Sequence, residues 1–224
     1  MNDIVKQAIY EIKQLAYNVP DGKHIVTGDI RKLSSKLYGK IQDKSLDNIL
    51  DLCEELFHEN NWALGVISFD WAYRVRSLYD ENTYTIFFQW LKKYVHGWGE
   101  CDDFCSHAFG ALLRKYKSLF FEVTEWTKDK DFWVRRASAV VLIPAILHND
   151  FDGIDPFVIS DSLMFDKHDL VQKGYGWMLK CLSKVDGEKV KNYLIDNRSR
   201  MSRTAFRYAL EKFDKETRSR LMSL

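Results

Sequence analysis

Apolar residues recur along the chain at intervals of three and four, the spacing that lines one face of an α-helix. No segment alternates apolar and polar residues for long enough to indicate a pair of strands. The pattern predicts roughly a dozen helices joined by short loops. Their approximate bounds are 4–16, 27–41, 45–53, 61–71, 82–91, 100–116, 133–147, 157–165, 168–183, 188–196 and 202–213.

Helix-capping and helix-breaking residues agree with several of these bounds. The sequence Pro20-Asp21-Gly22 predicts the end of the first helix. Pro144 is expected to kink or shorten the helix that reaches Leu147, because proline lacks the backbone N–H that a helix needs. The residues suited to cap or open helix N-termini are Thr27, Asp29, Ser45, Asn60, Asn61 and Asp131.

Short loops between helices of similar length imply antiparallel neighbours. Helix pairs recur about every 35–40 residues, which is near the lengths of HEAT and armadillo repeats. We therefore expect an all-α fold, a superhelical stack of antiparallel HEAT-like helix pairs (an α-solenoid), in preference to a globular bundle. No linker or low-complexity segment interrupts the chain, so residues 1–224 are expected to form a single HEAT-like repeat domain.

Composition excludes several classes of protein. Aromatic residues make up 14% and hydrophobic residues 46% of the chain, which excludes a mainly disordered protein. The four cysteines show no framework spacing and are expected to be reduced thiols. Because there is no apolar run of about 18 residues and no signal-peptide pattern, we expect a cytoplasmic protein without a membrane partner. The net charge of +1 neither indicates nor excludes a nucleic-acid partner.

The most unusual segment, residues 96–103, carries Trp98 and Asp102 four positions apart, so one helical face would present both. An indole ring beside a carboxylate suits a cationic ligand or transition state. The alternative is a core tryptophan and a helix-capping aspartate. Cys101 and Cys105 also share a helix face, but no second pair of ligands has zinc-site spacing, so no metal is expected.

Arg135 and Arg136 enter a strongly apolar helix, where an unpaired guanidinium is rarely buried. At least one of them is therefore expected to pair with Asp102 or Asp103, or to contact a phosphate group. A purely structural salt bridge is the alternative.

Gly174 and Gly176 lie within a helical pattern, where each costs roughly 1 kcal/mol relative to alanine. Their presence predicts a close approach by another helix or by a ligand backbone. Trp177 follows directly, and the alternative to a binding role is a core side chain packed over small residues.

The C-terminal segment 198–220 is strongly basic, with eight Lys and Arg residues against three Asp and Glu residues. Hydroxyl side chains are interleaved at a predicted helix start, an arrangement that often holds phosphates. A solvated basic face is the alternative. The hydroxyl residues are Ser199, Ser202 and Thr204.

Taken together, these motifs resemble those of the AlkD-like DNA alkylation repair glycosylases, a family with HEAT-like repeats. The resemblance runs from about residue 45 to residue 215 and lies in the order and spacing of the motifs. In order, the motifs are Trp98-x-x-x-Asp102, Trp133-x-x-Arg136-Ala137, Gln172-Lys173-x-x-Gly176-Trp177 and Ser202-Arg203.

This resemblance implies hydrolysis of the N-glycosidic bond of cationic N3- and N7-alkylated purines in duplex DNA, held on a basic concave face. By position, Asp102 resembles the catalytic carboxylate and Arg136 the arginine of the cleft. Trp98 and Trp177 resemble the aromatic walls beside the damaged nucleotide. No metal or organic cofactor is implied, and a monomer is expected. The residues expected to bind DNA are Arg135, Lys173, Arg198, Arg200, Arg203 and Arg207.

Gly97 and Gly99 depart from the family pattern, which more often has bulkier or acidic residues beside this tryptophan. Their small size is expected to loosen the aromatic wall. Two other functions stay open: a non-catalytic HEAT-like module that binds nucleic acid, and a protein-interaction solenoid.

Overall fold

The computed structural model describes residues 1–20 and 23–223, and these residues form α-helices, short 3-10 turns and one π-helical turn, without a β-strand. The predicted all-α class is therefore confirmed. The helices are α1 Asp3–Tyr17, α2 Thr27–Tyr38, α3 Leu46–Phe57, α4 Trp62–Arg74, α5 Asn82–Tyr94, α6 Trp98–Phe104, α7 Gly110–Lys115, α8 Phe120–Trp126, α9 Phe132–Val140, α10 Ile143–Leu147, α11 Pro156–Leu163, α12 Asp169–Leu182, α13 Gly187–Asn197, α14 Arg203–Ala209 and α15 Lys215–Ser223.

The chain divides into two units, of which the first, Met1–Tyr94, contains α1 to α5. Within this unit α3 packs against α4, and α4 is buried along most of its length. The largest side chains of its core are Trp71, Trp90, Tyr79, Phe69 and Phe87. A single domain over residues 1–224 stays a prediction.

The second unit, Val95–Leu224, contains α6 to α15. α12 is its central helix, because it packs against α9, α10, α11 and α14. α6 continues through a π-helical turn, Cys105–Phe109, directly into α7, so the predicted helix near 100–116 is confirmed as one continuous element with a widened turn. The four cysteines are all free and buried.

The predicted helix caps are confirmed in part. Asn61 accepts hydrogen bonds from the backbone of α4, and Asp131 accepts one from the backbone of α9, which satisfies amides that a helix start leaves unpaired. The predictions for Thr27 and Asp29 are wrong, because Val26 occupies the cap position and both residues lie in the first turn of the helix. Ser45 precedes α3, but its side chain makes no capping hydrogen bond.

The helix predicted to reach Leu147 breaks where proline requires it. α9 ends at Val140, and α10 begins at Ile143 with Pro144 in its first turn. A proline has no N–H to donate to the carbonyl four residues earlier, and its ring clashes with that carbonyl, so one helix cannot run through both positions. The predicted kink is therefore confirmed.

Two helices are absent from the sequence prediction. α8 has only seven residues, too few for a clear apolar stripe. α15 buries one side chain, Leu221, and Met222 is its only other apolar residue. In contrast, α1 ends at Tyr17, before the predicted turn at Pro20-Asp21-Gly22, of which Asp21 and Gly22 lie outside the described residues.

Candidate functional site

Helices α6, α9, α12 and α14 of the second unit contribute side chains to a cleft of about 430 Å³, which we call the first cleft. The cleft brings together residues that lie far apart in the sequence. Of the predicted site residues, it contains Trp98, Asp102, Arg136, Lys173 and Trp177. Its other lining residues are Leu170, Lys180 and Tyr208.

A bidentate ion pair joins Asp102 to Arg136 in the first cleft. The Nε and Nη2 atoms of Arg136 donate to Oδ1 of Asp102 at 2.9 and 2.8 Å, and Nη2 also donates to Oδ2 at 2.9 Å. The side chain of Arg136 is 6% exposed, whereas that of Asp102 is 20% exposed. The planar fork of a guanidinium fixes the orientation of a carboxylate as well as its charge, so Asp102 is held in one orientation at the edge of solvent.

Gly174 makes room for this arginine. A Cβ atom at this position would lie 3.2 Å from Cγ of Arg136, which is tighter than ordinary packing, and 3.5 Å from its Nη1 atom, an ordinary contact. The Nη1 atom also donates a hydrogen bond to the carbonyl oxygen of Leu170 in the first turn of α12. Arg136 is therefore hydrogen-bonded to both α6 and α12, and the close approach that Gly174 predicts is made by this side chain.

The burial of the Asp102 carboxyl raises its pKa above the ordinary value, and the charge and hydrogen bonds of Arg136 act against that rise. Burial is the larger influence because water is excluded from most of the carboxyl group. The group therefore titrates closer to neutral pH than an exposed aspartate does.

Two tryptophans border the first cleft. Trp98 is the first residue of α6 and is 64% exposed, an unusual exposure for the largest apolar side chain. Trp177 on α12 is half-buried. Trp98 and Asp102 lie one turn apart on α6, as their spacing predicts, so an exposed indole and an oriented carboxylate share the cleft.

Gly176 allows α12 and α14 to pack backbone against backbone. A Cβ atom there would lie 2.8 Å from the Ala205 carbonyl oxygen and 2.8 Å from Cβ of Tyr208. The predicted close approach of another helix is therefore confirmed at Gly176. Because Trp177 follows directly, this contact also sets the distance between its helix and α14.

Lys180 and Tyr208 are cleft residues that the sequence interpretation missed. Lys173, Trp177 and Lys180 are spaced by four and three residues, so the periodicity of α12 places Lys180 on the same face as the two predicted residues. The sequence therefore contains a signal for Lys180. Tyr208 carries no comparable signal, because it reaches the cleft from α14 through tertiary packing alone.

The structure separates the other predicted DNA-binding residues from the first cleft. Arg207 lines an adjoining cleft of about 510 Å³, the second cleft, which shares Lys173 and Tyr208 with the first. Arg198 and Arg203 line a smaller pocket of about 230 Å³. All three arginines are exposed.

Arg135 and Arg200 are engaged by other protein groups. Arg135 pairs with Asp166 at 2.6 Å and donates to two backbone carbonyls in the loop before α9. The guanidinium of Arg200 lies 5.5 Å from the centre of the Phe165 ring. Neither residue lines either cleft.

Within residues 1–20 and 23–223, no helix is both long enough and apolar enough to cross a membrane. The same residues include no group of three or more His, Cys, Asp or Glu side chains placed to hold a metal ion.

The fold and the first cleft define an all-α protein with an oriented carboxylate–arginine pair bordered by tryptophans. A family model described as DNA alkylation repair enzyme matches residues 24–213. The chain therefore belongs to the DNA alkylation repair enzyme family. No curated protein matches the chain.

Two solved structures resemble the chain over almost its whole length. A predicted DNA alkylation repair enzyme from Enterococcus faecalis is 13% identical, with a TM-score of 0.68, and the match covers 95% of each chain. AlkD2 from Streptococcus mutans is 18% identical, with a TM-score of 0.66, and the match covers 94% of this chain and 99% of that one. These matches confirm the HEAT-like fold that the spacing of the helix pairs predicts.

Proposed function

We propose that this protein is a DNA glycosylase that hydrolyses the N-glycosidic bond of cationic N3- or N7-alkylated purines in duplex DNA. Membership of the DNA alkylation repair enzyme family supports the general activity. The observation that supports the specific reaction is the Asp102 carboxylate, held by Arg136 in a cleft bordered by Trp98 and Trp177.

A single carboxylate is sufficient for this reaction. An alkylated purine already carries a positive charge, so its bond to the sugar is weakened and the leaving base needs no protonation. Most glycosidases instead need one carboxyl group as an acid and a second as a base or nucleophile. Asp102 would stabilise the positive charge that develops on the sugar, or orient the attacking water.

The geometry of the ion pair leaves Asp102 able to act. A carboxylate offers about four acceptor sites, and Arg136 makes one hydrogen bond to Oδ2 against two to Oδ1. Oδ2 therefore keeps an acceptor site for a water molecule or for the charge of the sugar. Arg136 is assigned a positioning role, because it holds the carboxylate rather than the substrate.

The tryptophans suit a cationic substrate. The face of an indole ring attracts a positive charge, and each such contact contributes about 0.5–2 kcal/mol. The 64% exposure of Trp98 leaves most of its ring open for contact with the damaged nucleotide.

The test is release of N7-methylguanine from a duplex that contains this base, under single-turnover conditions. We expect Asp102→Asn to slow the release by about a hundredfold or more, because it removes the charge that stabilises the transition state. Asp103→Asn is the matched control: Asp103 is the next residue of α6, pairs with His107 at 3.0 Å and does not line the first cleft. Thermal unfolding of each variant establishes that it is folded. Equal release by Asp102→Asn and the parent would overturn the assignment.

The exposed side chains of Arg198, Arg203 and Arg207 favour a second function, a non-catalytic module that binds nucleic acid. Arg136 bonds to both oxygens of Asp102, which is also the geometry of a purely structural ion pair. In that case the parent would bind duplex DNA with a steep dependence on salt concentration and would release no base.

A further inference from the structure

Both lysines of the first cleft are paired with carboxylates. The Nζ atom of Lys173 lies 2.6 Å from Oδ2 of Asp169, and Lys180 forms an ion pair with Glu211. Both carboxylate residues line the second cleft, which adjoins the first. Each lysine therefore lines the same cleft as Asp102, and its acidic partner lines the adjoining one.

The carboxylate partners of these two ion pairs are open to solvent, whereas the lysine side chains are 36% (Lys173) and 22% (Lys180) exposed. The side chain of Asp169 is 58% exposed and that of Glu211 is 42% exposed. Ion pairs at this exposure contribute little to folding stability, so a phosphate group can replace the carboxylate at small cost. The hydrogen bond to Asp169 also raises the pKa of Lys173 above its ordinary value, so both partners of this pair are charged at neutral pH.

We infer that Asp169 and Glu211 occupy Lys173 and Lys180 when DNA is absent, compete with backbone phosphates for them, and thereby weaken binding to undamaged duplex. This inference rests on the proposed function and adds specificity-determining residues to it. A lysine that is already neutralised brings no net charge to DNA. The preference for damaged over undamaged duplex then depends more on the contacts that only a cationic lesion makes with Asp102 and the tryptophans.

The size of the effect follows from counterion release. Each net positive charge that a protein adds to its contact with duplex DNA steepens the plot of log K against log salt concentration by about 0.9. Removing one of the two carboxylates adds one such charge. The affinity for duplex DNA should then rise by about threefold to tenfold at about 0.1 M salt.

The experiment measures the dissociation constant of a fluorescent, undamaged duplex at several salt concentrations for Asp169→Asn and Glu211→Gln. Glu188→Gln is the matched control, because Glu188 forms the same kind of ion pair with Lys191 on α13, is 80% exposed and lines neither cleft. It changes the net charge equally. We expect tighter binding and a steeper salt slope for the two cleft variants, and values close to the parent for the control.

Binding by the cleft variants that equals the control, or that is weaker than the parent, would overturn the inference. Weaker binding would mean that the carboxylates hold the lysines in position for DNA. Release of N7-methylguanine, measured on the same proteins, separates this inference from the proposed function. If the parent binds duplex DNA but releases no base, the proposed function is wrong, and the salt-dependent binding of the variants still tests the inference. If no protein binds duplex, both fail.

Discussion

Replacing Gly176 with alanine would place a methyl group where helix α14 already lies. The new Cβ atom would be 2.8 Å from the Ala205 carbonyl oxygen and 3.0 Å from Cα of the same residue. Favourable contact between such atoms begins near 3.5 Å, so α14 would have to withdraw by about 0.7 Å. Because most of these contacts are with backbone atoms, rotation of a side chain cannot relieve them.

The expected cost follows from two opposing effects. Overfilling a packed interior by one methyl group costs about 1–3 kcal/mol. Alanine stabilises the helix by up to about 1 kcal/mol relative to glycine, which offsets part of this cost. A net loss of about 1–2 kcal/mol corresponds to a fall of roughly 2–8 °C in Tm for a chain of this length. We also expect slower base release from Gly176→Ala, since the change moves α12, which carries Trp177, relative to Tyr208.

Thermal unfolding of Gly176→Ala and Gly99→Ala, side by side, tests this reasoning. Gly99 also lies in a helix, but a Cβ atom there meets nothing within 4 Å. Gly99→Ala should therefore raise the stability by about 0.4–1 kcal/mol. If Gly176→Ala unfolds at or above the Tm of the parent, the contact between α12 and α14 does not constrain the site in this way.

Three further predictions concern the charged residues. Because burial raises the pKa of Asp102 and the proposed reaction needs its ionised form, base release should fall as pH decreases, with a midpoint above the ordinary value of about 3.9; a pH–rate profile with a midpoint at or below that value would contradict this. Arg136→Lys keeps the charge but loses the bidentate geometry, so release should slow by about tenfold to a hundredfold; an unchanged single-turnover rate would refute the positioning role. Arg135→Ala should lower the free energy of unfolding by about 2 kcal/mol, because Asp166 loses its charged partner; urea unfolding with an unchanged midpoint would argue against it.

The local features of the site are the ones that the sequence predicts well. Trp98 and Asp102 belong to one helix, and a spacing of four residues is sufficient to place them on one face. The sequence also indicates that an arginine in an apolar helix needs a partner. It does not distinguish Asp102 from Asp103, because that choice depends on how α6 and α9 pack. The structure pairs Arg136 with Asp102 and pairs Asp103 with His107.

The remaining residues show where sequence information ends. Arg135 and Arg136 are neighbours, but successive residues of a helix point about 100° apart, so one reaches Asp166 and the other the first cleft. Periodicity alone cannot say which face of α9 meets which helix. α15 was missed for a related reason: only Leu221 is buried, so the helix leaves almost no apolar stripe in the sequence.

The contacts of Arg136 also limit how this protein can evolve. Asp102, Arg136 and Leu170 follow one another at equal intervals of 34 residues, an interval typical of one helix pair in a repeat array. Repeat proteins tolerate the gain or loss of units, because each unit touches only its neighbours. A unit inserted or deleted between Asp102 and Leu170 would instead separate groups that one guanidinium must bridge. The two intervals between Asp102 and Leu170 must therefore keep their lengths. Repeats gained or lost elsewhere in the chain would leave the hydrogen bonds of Arg136 intact.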